Sequence, residues 1–326
     1  MTVADGRHTR RRTRGGPSTR SPRRTARRET GAPFLRRRVN LLYLPAVALF
    51  AVFTLYPLVS GVLISFTKWD GYSPDRTFVG LANYAHLFTD PLVGTALVNT
   101  FIYGFGSTIL QQVIGLALAL ALDRAVRKRR TGGRNLARAI VYLPVLVSPV
   151  VMGTMYYLLF SYSYGGLNDT VTGLGGERVA WLSTSGSAIT IIVIVNSLQF
   201  VGISMVIYLA GLQSIPIMYY EAARIDGATG WRQFTGITVP LLQPAFATSI
   251  VLNLIGGLKL FDVIRVMTGG GPGYSTDSMS TLISKFYFDN QNAGYASAVG
   301  VALFVIIAVF TLALNAYFNR RRLEIA

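Results

Sequence analysis

The polar side chains that stand inside long apolar runs are the first candidates for chemistry in this sequence. Gln111 and Gln112 lie in the run 94–122, Asn196, Ser197 and Gln199 in 188–213, and Asn253, Lys259 and Asp262 in 241–263. Amide side chains both donate and accept hydrogen bonds, which suits them to a solute rich in hydroxyls. Phe200 and Phe261 stand beside them and offer flat apolar faces against which a solute ring packs. No nucleophile–base pair accompanies these groups. The chain has no cysteine, and its two histidines, His8 and His86, fall outside the runs. Disulfides, iron–sulfur clusters and cysteine-rich zinc sites are therefore excluded, no residue is assigned as catalytic, and none is assigned as a metal ligand. No Gly-Lys pair occurs, so Gly269, Gly270 and Gly271 read as a turn and not as a phosphate loop. The chain itself is expected to hydrolyse no nucleotide.

Polar groups in a bilayer are expensive, so each is a functional candidate. Asn196, Gln199 and Asn253 are the leading candidates, with Phe200, Lys259 and Asp262 beside them. The competing reading is hydrogen bonding between helices, and it is preferred for Gln111 and Gln112. Lys259 stands near the end of its run, where its stem reaches water or its ammonium pairs with Asp262.

The elements that position these groups follow from composition. Of 326 residues 51% are hydrophobic and only 14% are charged, and the mean hydropathy is +0.44. Long apolar runs with so little charge belong in a lipid bilayer. At about 1.5 Å of rise per residue, a core about 30 Å thick takes about 20 residues. Six segments meet that length: 41–66, 94–122, 136–160, 188–213, 241–263 and 295–318. The first is too long for a signal-peptide core and no A-x-A site closes it, so it reads as an uncleaved span. The expectation is an all-α polytopic membrane protein with six transmembrane helices, spanning residues 40–320.

The net charge of +17 invites a nucleic-acid reading, but its distribution argues otherwise. Thirteen of the 31 basic residues precede residue 40, seven lie in 123–138, two in 214–239 and three are Arg320–Arg322. Those 25 fall on one side of a six-span topology, which by the excess of basic residues places both termini in the cytoplasm. No nucleic-acid partner is expected. Residues 1–39 hold too few apolar side chains for a core and read as a disordered tail near the anionic leaflet of membrane lipid.

The segment between spans four and five, SIPIMYYEAARIDGATGWRQFTGITVPLLQP (214–244), is unlike a plain hairpin. Ser214 is an expected N-cap with Pro216 in the first turn. Tyr219 to Asp226 suit a short helix that Gly227 ends in the left-handed conformation. Trp231, Phe234 and Ile237 then repeat every three residues. The result is a rigid helix pair across the cytoplasmic face. Glu221 and Asp226 offer carboxylates, and Ala222 and Ala223 permit close approach of another backbone.

Glu221, Ala222, Ala223, Asp226, Gly227 and Ala228, followed by Phe234, Ile237, Pro240 and Pro244, resemble the coupling motif of bacterial ABC importer permeases. Phe261, Asp262, Thr268–Pro272, Ser275, Thr276 and Gly294–Ser297 are similar to the first permease of carbohydrate-uptake importers, as are FVGLANYAHLF (78–88), WLSTSG (181–186) and AGLQSIP (210–216). The resemblance covers about 40–320 and implies the compact six-span version of the ABC type-1 transmembrane fold. It implies that residues 221–228 dock on a separate ATPase dimer, which binds the ATP and Mg; no cofactor is expected on this chain. The same resemblance, carried by residues 221–300, implies that Asn196, Gln199 and Asn253, with Phe200, Lys259 and Asp262 beside them, line a solute pathway. It further implies a second related permease, an extracytoplasmic solute-binding protein, a bacterial cytoplasmic membrane and import of a sugar or similar solute by alternating access. An ion-gradient transporter or channel is the alternative, and it predicts acidic or histidine relays mid-span that are not found here.

Overall fold

The computed structural model describes residues 43–127 and 134–320, and divides the chain into two compact units, residues 1–56 and 57–326. The tail 1–39 and residues 128–133 of the basic cluster 123–138 lie outside the described residues. Among those described, four helices are long and apolar enough to cross a membrane: α1 (Leu44–Ile64), α3 (Pro91–Arg127, apolar through Asp123), α7 (Ser185–Ser214) and α14 (Ala293–Asn319). A short β1–β2 ribbon (Thr67–Lys68 with Thr77–Phe78) and α2 (Ala82–Thr89) join α1 to α3. In that ribbon's turn the half-buried Asp70 accepts from the backbone N–H of Ser73 and Tyr72, which holds its carboxyl below the usual range.

The third expected span is broken. α4 (Arg134–Leu146) and α5 (Pro149–Leu159) meet at 98° and count as a fifth crossing only if taken together. Proline supplies the reason. Pro149 has no N–H to continue the ladder, and its ring pushes Ser148 out of the helical region, to φ −53° and ψ 135°. The carbonyl of Val147 is met by Gln199 Nε2 at 3.4 Å. A short helix, α6 (Gly166–Gly173), lies between α5 and α7.

The fifth expected span is also shorter than its apolar run. The single turn α10 (Val239–Leu241) leads into α11 (Gln243–Leu258), which has 16 residues, about 24 Å against a core of about 30 Å. It ends at Lys259, before α12 (Asp262–Met267) begins.

α7 is the central helix, and α3, α4 and α11 pack on it. Small residues let them approach. A Cβ on Gly115 would lie 2.6 Å from Ser204 Cβ, and one on Gly257 would lie 2.8 Å from Gly104 Cα. Side chains at these points would push α3 away from α7 or α11, which is how small residues hold bundles together in lipid. Three apolar clusters line the long axis of α3. Val93 and Ala96 join α13 (Met279–Ser284) and α14, Tyr103 joins α7 and α12, and Ala119 joins Leu212, Tyr220 and Leu242. Ala96 and Ala119 are about 35 Å apart along the helix, so the clusters mark its two ends and its middle.

Candidate functional site: a polar cavity and a helix pair

α3, α5, α7, α11 and α12 enclose a cavity of about 220 Å³. Asn196, Phe200, Asn253, Lys259 and Asp262 line it, as do Phe261 and Gln111. Five of the six expected pathway residues are thus brought together. The sixth, Gln199, is fully buried but turned away, with its amide at the break between α4 and α5. Its Nε2 meets the Val147 carbonyl there, and its Oε1 is buried without a partner. Asn253 is 6% exposed and donates through Nδ2 to Ser204 Oγ at 2.6 Å, with Ser249 Oγ at 3.5 Å. It therefore both lines the cavity and ties α11 to α7. Lys259 and Asp262 form no ion pair among the described residues, because the chain leaves the helix between them and Asp262 begins a new one.

At the Ala119 end of the bundle, α8 (Ile217–Ile225) and α9 (Gly230–Gln233) form the helix pair. Ser214 is not the cap of α8. It is the last residue of α7, and its hydroxyl donates to Gly211 O at 2.8 Å. Ile215 precedes a proline and is extended, so the break falls there and Pro216 takes the N-cap position. The other end of α8 matches expectation. Gly227 has φ +74°. Its N–H donates to Arg224 O at 3.1 Å, and the Ala228 N–H donates to Ala223 O at 2.8 Å. This pair of bonds is the Schellman closure of a helix. Ala228 O then accepts from Gln233 Nε2 at 2.9 Å, and Thr229 caps α9. Tyr220 is buried, with its hydroxyl 2.9 Å from Thr238 Oγ1, so α8 is fixed to the turn that leads into α10.

Glu221, Ala222, Asp226 and Gly227 are exposed, and Ala223 and Ala228 are half-buried. Around them Met218, Ile225 and Trp231 also stand exposed, Ile225 at 87% and Trp231 at 72%. Apolar side chains held this rigidly beside carboxylates make a surface built for contact.

A third feature has almost no signature in the sequence. Asp277 is fully buried. Its carboxylate takes Thr281 Oγ1 at 2.8 Å and Lys285 Nζ at 2.7 Å. Residues 275–277 are held to α3: Asn99 Nδ2 donates to Ser275 O and Asp277 O, and the Tyr103 hydroxyl to Thr276 O, all at 2.8–2.9 Å. Gly270, at φ +89°, lies directly over the carboxylate, and a Cβ there would collide with Asp277 Oδ1. The glycine run is thus a turn, as expected, and it closes over a buried ion pair. The one signal for this in the sequence is the Ser278–Thr281 spacing, which forms a capping box just after Asp277.

The described helices thus combine membrane-length apolar segments with a cavity lined by several polar side chains and an exposed helix pair at one end. Residues 111–324 match the model of the binding-protein-dependent transport system inner membrane component family. The chain is 35% identical over 272 residues to the trehalose/maltose transport system permease protein MalF of Thermococcus litoralis, covering 83% of this chain and 90% of that one. It is 32% identical to the lactose transport system permease protein LacF of Rhizobium radiobacter, covering 86% and 94%. A solved bacterial ABC transporter that imports the acidic polysaccharide alginate has a chain of the same fold, with a TM-score of 0.77 and 27% identity over 87% of this chain and 96% of that one. The chain belongs to the binding-protein-dependent transport system inner membrane component family, and it has the ABC type-1 permease fold.

Proposed function

We propose that this chain is one of two related permease subunits of an ATP-driven sugar importer in a bacterial cytoplasmic membrane. The observation that carries the reading is the helix pair: a Schellman-closed turn at Gly227 that presents Glu221, Asp226 and an apolar rim to solvent at one end of a bundle of this family. The chain crosses the membrane six times, with α4–α5 as one crossing and α11, completed by residues 259–263, as another. Both termini are cytoplasmic, in line with the 25 of 31 basic residues that this topology places inside. Residues 1–39 form a tail at the lipid surface, and 40–320 form the permease domain with its coupling segment 214–244.

Glu221 to Ala228 dock on an ATPase dimer, which binds ATP and Mg and does the hydrolysis; this chain supplies no catalytic group. A solute-binding protein delivers cargo on the far side. A solved alginate transporter was captured with a pentasaccharide-bound periplasmic protein, and its chain shares this fold at a TM-score of 0.77. Closure of the ATPases moves the helix pair, and the polar cavity of Asn196, Asn253 and Asp262 opens alternately to each side. Sugar cargo is supported by relatives named for trehalose/maltose and lactose transport and by the amides and aromatic faces of the cavity.

Purification of the affinity-tagged chain from its own membranes, in mild detergent, tests this assembly. The expected complex holds a second permease and two copies of an ATPase. A tagged chain that runs alone, or with copies of itself and no ATPase, would overturn it.

A further inference from the structure

Gln111 and Gln112 are neighbours on α3 and have different surroundings. Gln112 Oε1 accepts from the Tyr208 hydroxyl, which ties α3 to α7; its Nε2 is buried without a partner, but the residue does not line the cavity. Gln111 instead borders the polar cavity. Its Nε2 donates to the backbone carbonyl of Asn196 at 3.3 Å, while its Oε1 is sealed from solvent with no hydrogen-bond partner. The residue is 2% exposed. A buried acceptor left without a donor is costly, and few native groups are left so.

We propose that Gln111 is a solute-contacting residue whose Oε1, sealed in the conformation described, accepts a hydrogen bond from a hydroxyl of the passing solute once the cavity opens. The proposal rests on the importer reading above and adds a residue and a selectivity to it. The donor side of Gln111 is committed to Asn196, so it offers the solute an acceptor. The amide nitrogen of Asn253 is likewise committed to Ser204 Oγ, at 2.6 Å, and Asp262 on the same wall is a carboxylate. Lys259 on the same wall can donate, so the acceptors at Gln111 and Asp262 suit a solute that both donates and accepts, as a polyhydroxy compound does. Deoxy analogues lose the bond and leave the orphan in place.

The natural absence of cysteine from this chain makes the test direct. In the full complex reconstituted in vesicles, Gln111→Cys reacts with a charged, water-soluble methanethiosulfonate, faster in one nucleotide state than in the other. Gln112→Cys resists in both. With trehalose and maltose as probes, Gln111→Leu lowers uptake per assembled complex about fivefold to tenfold, the range expected for one net hydrogen bond. Its ATPase remains stimulated by the binding protein. Gln112→Leu leaves uptake per complex unchanged. If Gln111→Cys is unreactive in both states, or Gln111→Leu moves the probes as the native chain does, Gln111 is a packing residue and the proposal is wrong. If the native complex itself moves neither probe with ATP, the sugar-importer reading fails, and the Cys labelling still decides separately whether position 111 faces the pathway.

Discussion

Gly227→Pro uncouples ATP hydrolysis from uptake while the bundle still inserts and assembles. Gly227 sits at φ +74°, and its N–H bonds to Arg224 O. Proline fixes φ near −65° and removes that donor, so it loses the left-handed turn and half of the Schellman closure together. The local cost is about 3 kcal/mol, on the order of a hundredfold in the population of the native turn. The ring also disfavours the near-helical backbone of Asp226 before it, while no atom beyond the chain neighbours lies within 4 Å of where a Cβ would stand. That open space makes Gly227→Ala the control. It meets only the backbone penalty of the left-handed region, about 1–2 kcal/mol, and keeps the N–H. Binding-protein-stimulated uptake in vesicles should fall roughly a hundredfold for proline and about fivefold to thirtyfold for alanine. Equal activity in both variants would mean that the turn at 227 does not transmit motion.

Asp277→Ala destabilises the other end of the bundle more than any single change to a surface charge. The carboxylate has a side-chain exposure of 1% and Lys285 one of 12%. Removing one member of a buried pair leaves the other charged, desolvated and unmatched, a loss of about 3–5 kcal/mol. The ring of Tyr274, 4.5 Å from Lys285 Nζ, offsets only part of it. The Thr281 hydroxyl loses its acceptor as well, and Gly270 loses the floor beneath its turn. Thermal unfolding of the detergent-solubilised complex should therefore shift down sharply for Asp277→Ala. Asp277→Ala combined with Lys285→Met should recover more than half of the shift, because both charges then leave together. Failure of the double variant to recover would show that hydrogen bonds to Thr281, and not the ion pair, hold the loop.

The sequence made the architecture legible where one side-chain pattern had one physical solution. The runs at 94–122, 188–213 and 295–318 became α3, α7 and α14, because 20 or more apolar residues without a breaker are cheapest in lipid as uninterrupted helix. Gly227 was legible because a left-handed residue after a short helix is strongly typed. The breaks were harder. Pro144 and Pro149 announce strain in the third run, but proline is tolerated in spans, and the 98° bend depends on what packs against it. The end of α11 at Leu258 was hidden because residues 259–263 are as compatible with helix as those before them. Among the polar residues, type and depth found Asn196, Asn253 and Asp262, which do meet in one cavity. Type alone could not separate Gln111 from Gln112, adjacent on one helix, nor turn Gln199 toward the cavity. A one-residue step on a helix is about 100° of rotation, and only the neighbours decide which way each amide points. Asp277 and Lys285 were unreadable as a pair because eight residues and a capping box separate them.

The most direct test of the central claim is uptake of labelled trehalose and maltose into vesicles holding this chain with its second permease, its ATPase pair and its binding protein. ATP is enclosed inside, and all ion gradients are collapsed. An ATP-driven importer accumulates sugar against its gradient under these conditions, and loses accumulation when either the enclosed ATP or the binding protein is left out. Accumulation that requires an ion gradient and proceeds without enclosed ATP would contradict the account.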